Sequence, residues 1–184
     1  ATGLEFNEGQ LEDDFQHLTD VLLRSNSATF MYRDFQSRNV MIKDGEPMFI
    51  DFQGGRKGPF FYDVASFLWQ AKANFPDSLR KELLKEYISE LKKYKFVDDD
   101  YFYSQLRHFV LFRTLQVLGA YGLRGYFERK KYFLDSIPPA IQNLRRQLLD
   151  GTCTPYPHLY DTLQRLTELP QFNAPAPCHG QASR

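Results

Sequence analysis

Cysteine is scarce in this chain of 184 residues: Cys153 and Cys178 are its full complement, too few and too far from other ligand types for a disulfide framework or a zinc site. A reducing, cytoplasmic setting is the expectation that follows. An excess of either charge is also lacking, since 23 Lys and Arg stand against 23 Asp and Glu. No net field therefore favours nucleic acid or an anionic membrane surface as a partner. No apolar run approaches the ~20 residues that a membrane-spanning helix requires, and no secretory leader is visible. His17, His108, His158 and His179 share no metal-ligand spacing. Lysine is absent before Lys43, and the glycines ahead of that point are Gly3 and Gly9. That segment holds neither a glycine-rich, anion-cradling loop nor a lysine to accompany one.

Aromatic residues, by contrast, are plentiful, with seventeen Phe and eleven Tyr in a chain that is 42% hydrophobic. This is enough for one core, and the length argues for one domain. The most informative stretch is Tyr32-Arg33-Asp34-Phe35-Gln36-Ser37-Arg38-Asn39, followed twelve positions after Asn39 by Asp51-Phe52-Gln53-Gly54. Ala28 to Met31 reads as a short buried strand leading into it. Val40-Met41-Ile42 and Met48-Phe49-Ile50 are apolar runs around the turn cluster Asp44-Gly45-Glu46-Pro47, which predicts a hairpin. A hairpin there folds Asp51 back beside Asn39.

Helices make up most of the rest. Leu11, Phe15, Leu18 and Leu22 fall at helical spacing and predict an amphipathic helix over 9–24. A second is expected from Asp63 to Asn74, ended by Phe75-Pro76. A third is capped by Asp77-Ser78, with Leu79, Leu83, Tyr87, Ile88 and Leu91 as its apolar face. The acidic run Asp98-Asp99-Asp100 opens a long fourth helix to about Gly122, where it favours the positive end of the helix dipole. Further helices are expected over 126–136, over 140–149 after a break at Pro138-Pro139, and over 157–168. From Pro170 onward, Pro175, Pro177 and Gly180 suggest a disordered tail or linker.

The pattern of an acid, four spacers, an asparagine, a hairpin and a second acid resembles the catalytic loop and metal-binding turn of the protein-kinase-like phosphotransferases. Within them the chain is similar to the aminoglycoside-phosphotransferase and choline-kinase superfamily. It most resembles bacterial kinases that act on the anomeric hydroxyl of N-acetylmuramate or N-acetylglucosamine. The matching residues are Arg33 to Asn39, Asp51-Phe52-Gln53, Gly58 to Leu68 and, more loosely, Arg113 to Tyr121; the likeness covers roughly residues 9 to 168. It implies a mainly α fold with a small β-hairpin region, the C-terminal lobe of a protein-kinase-like enzyme. ATP and Mg2+ are the implied cofactors, and a small-molecule hydroxyl compound is the acceptor. Asp34 stands where the catalytic base is expected, Asn39 and Asp51 where the nucleotide-bound magnesium is held, and Asp63 where an acid braces the catalytic loop through backbone N–H groups. Tyr32 departs from the pattern, which has histidine there.

Other residues have two readings each. Arg38 reads as a substrate or phosphate contact, or as an arginine braced against a neighbouring carboxylate, its more ordinary use. Gln53 and Arg56 read as acceptor-pocket or as solvated loop residues. Arg113 reads as a sugar contact or as the partner of an acid such as Asp63, an internal salt bridge being the commoner case. Tyr121, Arg124 and Tyr126 lie where related kinases build the acceptor pocket, though aromatics at helical spacing usually serve a core. Lys92-Lys93 and Arg129-Lys130-Lys131 read as solvated faces.

The expected organisation is a truncated start or linker over 1–8, the lobe over 9–168 and a tail over 169–184. A chain that opens Ala1-Thr2-Gly3 and lacks the lysine-bearing lobe reads as one cut from a longer parent. It is expected to be inactive without that N-terminal lobe. The alternative is a stand-alone, non-catalytic binding module.

Overall fold

A computed structural model describes residues 3–173. Helix α1 (Glu8–Leu23) is capped by Asn7, whose side chain accepts the Gln10 N–H at 3.1 Å. Strand β1 (Thr29–Met31) leads through a loop and a 3-10 turn (Ser37–Asn39) into β2 (Val40–Lys43), β3 (Glu46–Phe49) and β4 (Arg56–Gly58). Helices α2 (Phe61–Leu68), α3 (Asp77–Leu91) and α4 (Asp99–Gly122) follow, and α4 widens into a π-helical turn (Leu123–Phe127). The chain closes with α5 (Lys131–Leu134), α6 (Ile137–Leu149), α7 (Pro157–Thr167) and α8 (Pro170–Asn173). This is the mainly α lobe with a small β region that the sequence implies. None of its described helices is long and apolar enough to cross a membrane.

Two apolar clusters share α4 as their common wall. On one side, Phe61, Ala65 and Leu68 of α2 and Leu84 and Ile88 of α3 pack against Phe102, Leu106 and Phe109. On the other, Leu18 of α1, Leu144 of α6 and Leu159 and Leu163 of α7 surround Leu111. A helix apolar on several faces belongs in the interior, and α4 does so here. Cys153 is buried in the second cluster, where desolvation raises its thiol to about 12, as for an inert core thiol.

The hairpin is antiparallel, pairing Val40 with Phe49 and Lys43 with Glu46. Its turn is tighter than the expected four-residue cluster. Asp44 (φ 53°) and Gly45 (φ 85°) alone make it, in the doubly left-handed form that suits strand twist, and Glu46 and Pro47 already lie in β3. A second ribbon, β1 against β4, pairs Thr29 with Gly58 and Met31 with Arg56. The sequence reading missed β4 because Arg-Lys-Gly shows no apolar alternation. A Cβ on Gly58 would sit 2.7 Å from the Met31 sulfur, so glycine allows the close pairing.

Four other expectations need correction. Helix α2 stops at Leu68, not Asn74, because side chains take its last carbonyls: Arg80 Nε donates to Leu68 O at 3.0 Å and Asn143 Nδ2 to Trp69 O at 3.2 Å. Pro138 and Pro139 do not interrupt a helix. They lie in the first turn of α6, where N–H groups have no intrahelical partner to lose. The tail does not become irregular at Pro170, since α8 begins there; residues 174–184, with Cys178 and His179, lie outside the described residues. The buried stripe of α1 also differs, for Phe15 is exposed while Asp14 is buried. Asp14 Oδ2 accepts the Leu159 N–H at 2.7 Å in the first turn of α7, a favourable use of a carboxylate.

Candidate active site

The loop between β1 and β2 carries Asp34, and the fold fixes it from both ends. Asp63, in the first turn of α2, accepts the N–H of Tyr32 at 2.6 Å and of Arg33 at 2.9 Å. Burial raises the Asp63 carboxyl above its ordinary range, while these two N–H bonds and the Arg113 charge oppose that rise. Farther along the loop, Gln70 Oε1 accepts both the Ser37 N–H and the Ser37 hydroxyl at 3.0 Å. Arg33 at φ 76° and Asp51 at φ 67° are left-handed, a conformation non-glycine residues adopt at a cost. The two sit at the bends that aim Asp34 and Asp51.

Asp34 is half-buried. Its Oδ1 accepts from the Gln36 amide, and its Oδ2 pairs with Arg38 at 3.0 Å. Asn39 is buried and turns its amide nitrogen onto Asp34 O at 2.8 Å. The hairpin then returns the chain, so that Ile50 N–H donates to Asn39 O at 3.1 Å and Asp51 follows directly. Asp51 is exposed, and its Oδ1 accepts from Gln53 Nε2 at 2.7 Å. Tyr32 connects the two halves by donating its hydroxyl to Ile50 O. Desolvation, and then the carboxylates of Asp51, Asp34 and Asp63, lift that phenol above its ordinary range. Three acids thus surround one tyrosine.

The donor set fits a magnesium ion. Asn39 commits its nitrogen to Asp34, which leaves the side-chain carbonyl to accept a cation. Among the described residues no hydrogen-bond donor holds Asp51 Oδ2. Among the described residues no three His, Cys, Asp or Glu are placed to hold a metal ion between them, and magnesium bound to phosphates needs only one or two protein ligands.

A polar cavity of about 330 Å3 opens onto Asp34. This lies within the ~300–1,000 Å3 range of small-molecule sites. One face of α4 and the turn after it forms a wall, with Arg113, Gln116, Val117, Ala120, Tyr121 and Arg124 at helical spacing. Arg38, Trp69, Gln70 and the rings of Tyr132 and Phe133 form the rest. Arg113 does not pair with an acid among the described residues: its Nε donates to Ser66 Oγ at 3.1 Å and its Nη1 to Gln116 Oε1 at 2.7 Å. Gln53 and Arg56 are not at the cavity, since Gln53 is held on Asp51 and Arg56 lies in β4. Tyr126 lines a separate apolar cavity beside α6 and α8.

Sequence reading passed over Gln36, Gln70 and Ser66. For Gln36 a signal was present, two residues after Asp34 in a loop; Ser66 and Gln70 gave none, because α2 and the turn after it bring them in from a distance. A larger apolar groove of about 790 Å3, between β3 and α2–α3, is lined by Phe35, Phe49, Phe67, Leu83 and Tyr87 among others.

Residues 3–97 match the family model described as APH, the phosphotransferase enzyme family. An N-acetylmuramate/N-acetylglucosamine kinase of Neisseria meningitidis serogroup B is 29% identical over 149 residues, 78% of this chain and 44% of that protein. A kinase of the same name from Pseudomonas aeruginosa is 25% identical over 170 residues, 89% of this chain and 49% of that protein. The chain therefore spans about half the length of these relatives.

Proposed function

The chain belongs to the phosphotransferase enzyme family, and we propose that it is the catalytic lobe of an ATP-dependent kinase acting on a hydroxyl of an amino sugar or a related alcohol. One observation carries this reading: Asp34 stands at the mouth of a polar cavity while Asn39 and the hairpin that precedes Asp51 are bonded to its loop. In this reading Asn39 and Asp51 hold the nucleotide's magnesium, which when bound neutralises phosphate charge. The acceptor hydroxyl donates a hydrogen bond to Asp34, which orients its oxygen toward the γ-phosphorus. The new O–P bond forms as the bond to the β–γ bridging oxygen breaks. ADP leaves with that electron pair, and Asp34 takes the hydroxyl proton.

A phosphate-covering loop and a lysine are also needed, and no residue before Lys43 supplies them. We assign them to an N-terminal lobe beyond this fold, in keeping with relatives about twice as long. Met41, Ile42 and Ile50, on the hairpin or at its end beside Asp51, are exposed, and an apolar patch of this kind suits cover by a nucleotide and the lobe that holds it. A triphosphate donor and a reduced core thiol suit the cytoplasm.

The test is phosphoryl transfer. This chain, joined to the N-terminal half of the Neisseria relative, is supplied with Mg-ATP and either N-acetylglucosamine or N-acetylmuramate, and the ester is followed by 31P NMR. Transfer that Asp34→Asn lowers by about 10²–10⁴-fold is the expected result. A fusion that binds ATP yet phosphorylates neither sugar nor any simple alcohol sinks the proposal. The competing reading, a non-catalytic binding module, draws on the missing lysine and would then take its place.

A further inference from the structure

We propose that the acceptor cavity selects a substrate bearing a carboxylate, with Arg113 and Arg124 as the residues that read that charge. This rests on the kinase reading, because it concerns the acceptor of that reaction.

The charged residues lining the cavity are one acid, Asp34, and three arginines, Arg38, Arg113 and Arg124. Arg38 and Asp34 form an ion pair at 3.0 Å and cancel. Arg113 is fixed by Ser66 and Gln116, both neutral, and Asp63, the acid that feels its charge, makes no ion pair with it and already accepts the Tyr32 and Arg33 N–H groups. Arg124 rests against the Phe133 ring at 5.3 Å, and no carboxylate lies within ion-pair distance of it among the described residues. The next charge at the rim is positive too: Lys72 Nζ sits 3.2 Å from the centre of the Tyr132 ring, itself part of the lining.

Two guanidiniums on the cavity wall, neither ion-paired to a carboxylate among the described residues, define what fills it well. A neutral ligand would strip water from them and return hydrogen bonds but no opposite charge. A carboxylate returns paired, charge-assisted hydrogen bonds that suit the planar guanidinium. Arg113 and Arg124 stand eleven residues apart, about three helical turns and roughly 16 Å along the axis. They share one face, so long side chains from both ends can close on a ligand the size of one sugar. Arg124 lies in the π-helical turn, a local widening that recurs at functional sites. Tyr121, between them on that face, feels the charges of both Arg113 and Arg38. Of the two sugars considered above, N-acetylmuramate carries a carboxylate and N-acetylglucosamine does not.

The test is equilibrium binding to this 184-residue chain, by titration calorimetry, of N-acetylmuramate and its methyl ester, which differ in that charge and one methyl group. We expect the acid to bind at least tenfold more tightly. Arg124→Gln should cut that ratio severalfold and the double variant with Arg113→Gln should bring it near one, while Arg124→Lys restores part of it. Arg124 is exposed, so its variants should fold, and circular dichroism verifies this. Equal affinity for acid and ester, no binding of either, or a ratio unmoved in the folded Arg124→Gln variant overturns the proposal. Phosphoryl transfer to both sugars at equal rates, with equal binding of acid and ester, would keep the kinase reading and sink this one. Charge-selective binding without any transfer would do the reverse.

Discussion

Asp63 accepts the backbone N–H of Tyr32 at 2.6 Å across 31 residues of chain, and the next N–H, that of Arg33, at 2.9 Å. One carboxylate on a core helix thus fixes where the Asp34 loop begins. Asp63→Ala leaves two N–H groups without partners, and we expect a loss of about 2 kcal/mol in urea denaturation. Asp63→Asn keeps one acceptor oxygen and should lose less. Equal, negligible losses in both would mean the loop is held otherwise.

Asp34 behaves differently, because its partner Arg38 is more than half exposed. Such pairs contribute roughly 0–1 kcal/mol. Asp34→Asn should therefore melt close to the parent, while phosphoryl transfer by the lobe-completed protein falls about 10²–10⁴-fold, the usual worth of a positioned acid–base group. A large drop in melting temperature would recast Asp34 as structural.

The turn at Asp44-Gly45 sets the register that returns the chain to Asn39. Gly45 has φ 85°, where an added Cβ is strained although space is open around it. Gly45→Ala should cost about 1 kcal/mol. The effect should concentrate in the hairpin, as faster hydrogen exchange at the Ile50 amide, which donates to Asn39 O at 3.1 Å. Exchange unchanged there would separate the turn from the site.

His108 supplies a pH signature. Burial first, then the charges of Arg107 and His17, lower its pKa from 6.5 to about 4, and its Nδ1 lies 3.2 Å from the Tyr156 hydroxyl. Between these values the unfolded chain takes up a proton that the folded chain refuses. The His108 contribution is complete above pH 6.5 and falls as pH drops toward 4, by roughly 3 kcal/mol. The stability advantage over His108→Phe should shrink by about that much from pH 7 to pH 4. A difference independent of pH would rule the titration out.

Much of this was legible in the residues because local chemistry and tertiary demand agree. Asp-Gly between two apolar runs predicts a hairpin, and the hairpin carries Asp51 back toward Asn39. The acid run at Asp98 starts α4 where expected, with the Asp98 side chain accepting the Tyr101 N–H at 2.7 Å. What escaped depends on partners distant in sequence. The end of α2 is decided by Arg80 and Asn143, and β4 can pair with β1 because Gly58, opposite Thr29, leaves room for the Met31 side chain. The salt bridge expected of Arg113 gives way to Ser66 and Gln116, which reach it through folding alone. Periodicity misjudged Phe15 and Leu83 for a related reason, since Asp14 and Leu84, their chain neighbours, are buried instead.

Helix α4 carries both apolar clusters and, on a remaining face, the wall of the polar cavity beside Asp34. This separates what the lobe can vary from what it must keep. A change at Gln116 or Ala120 touches a half-open surface, whereas one at Phe109 or Leu111 disturbs packing on which the whole lobe rests. On the kinase reading, new acceptor preferences are thus within reach of single mutations that a marginally stable protein can survive, and such a lobe could diversify its substrates without first becoming more stable.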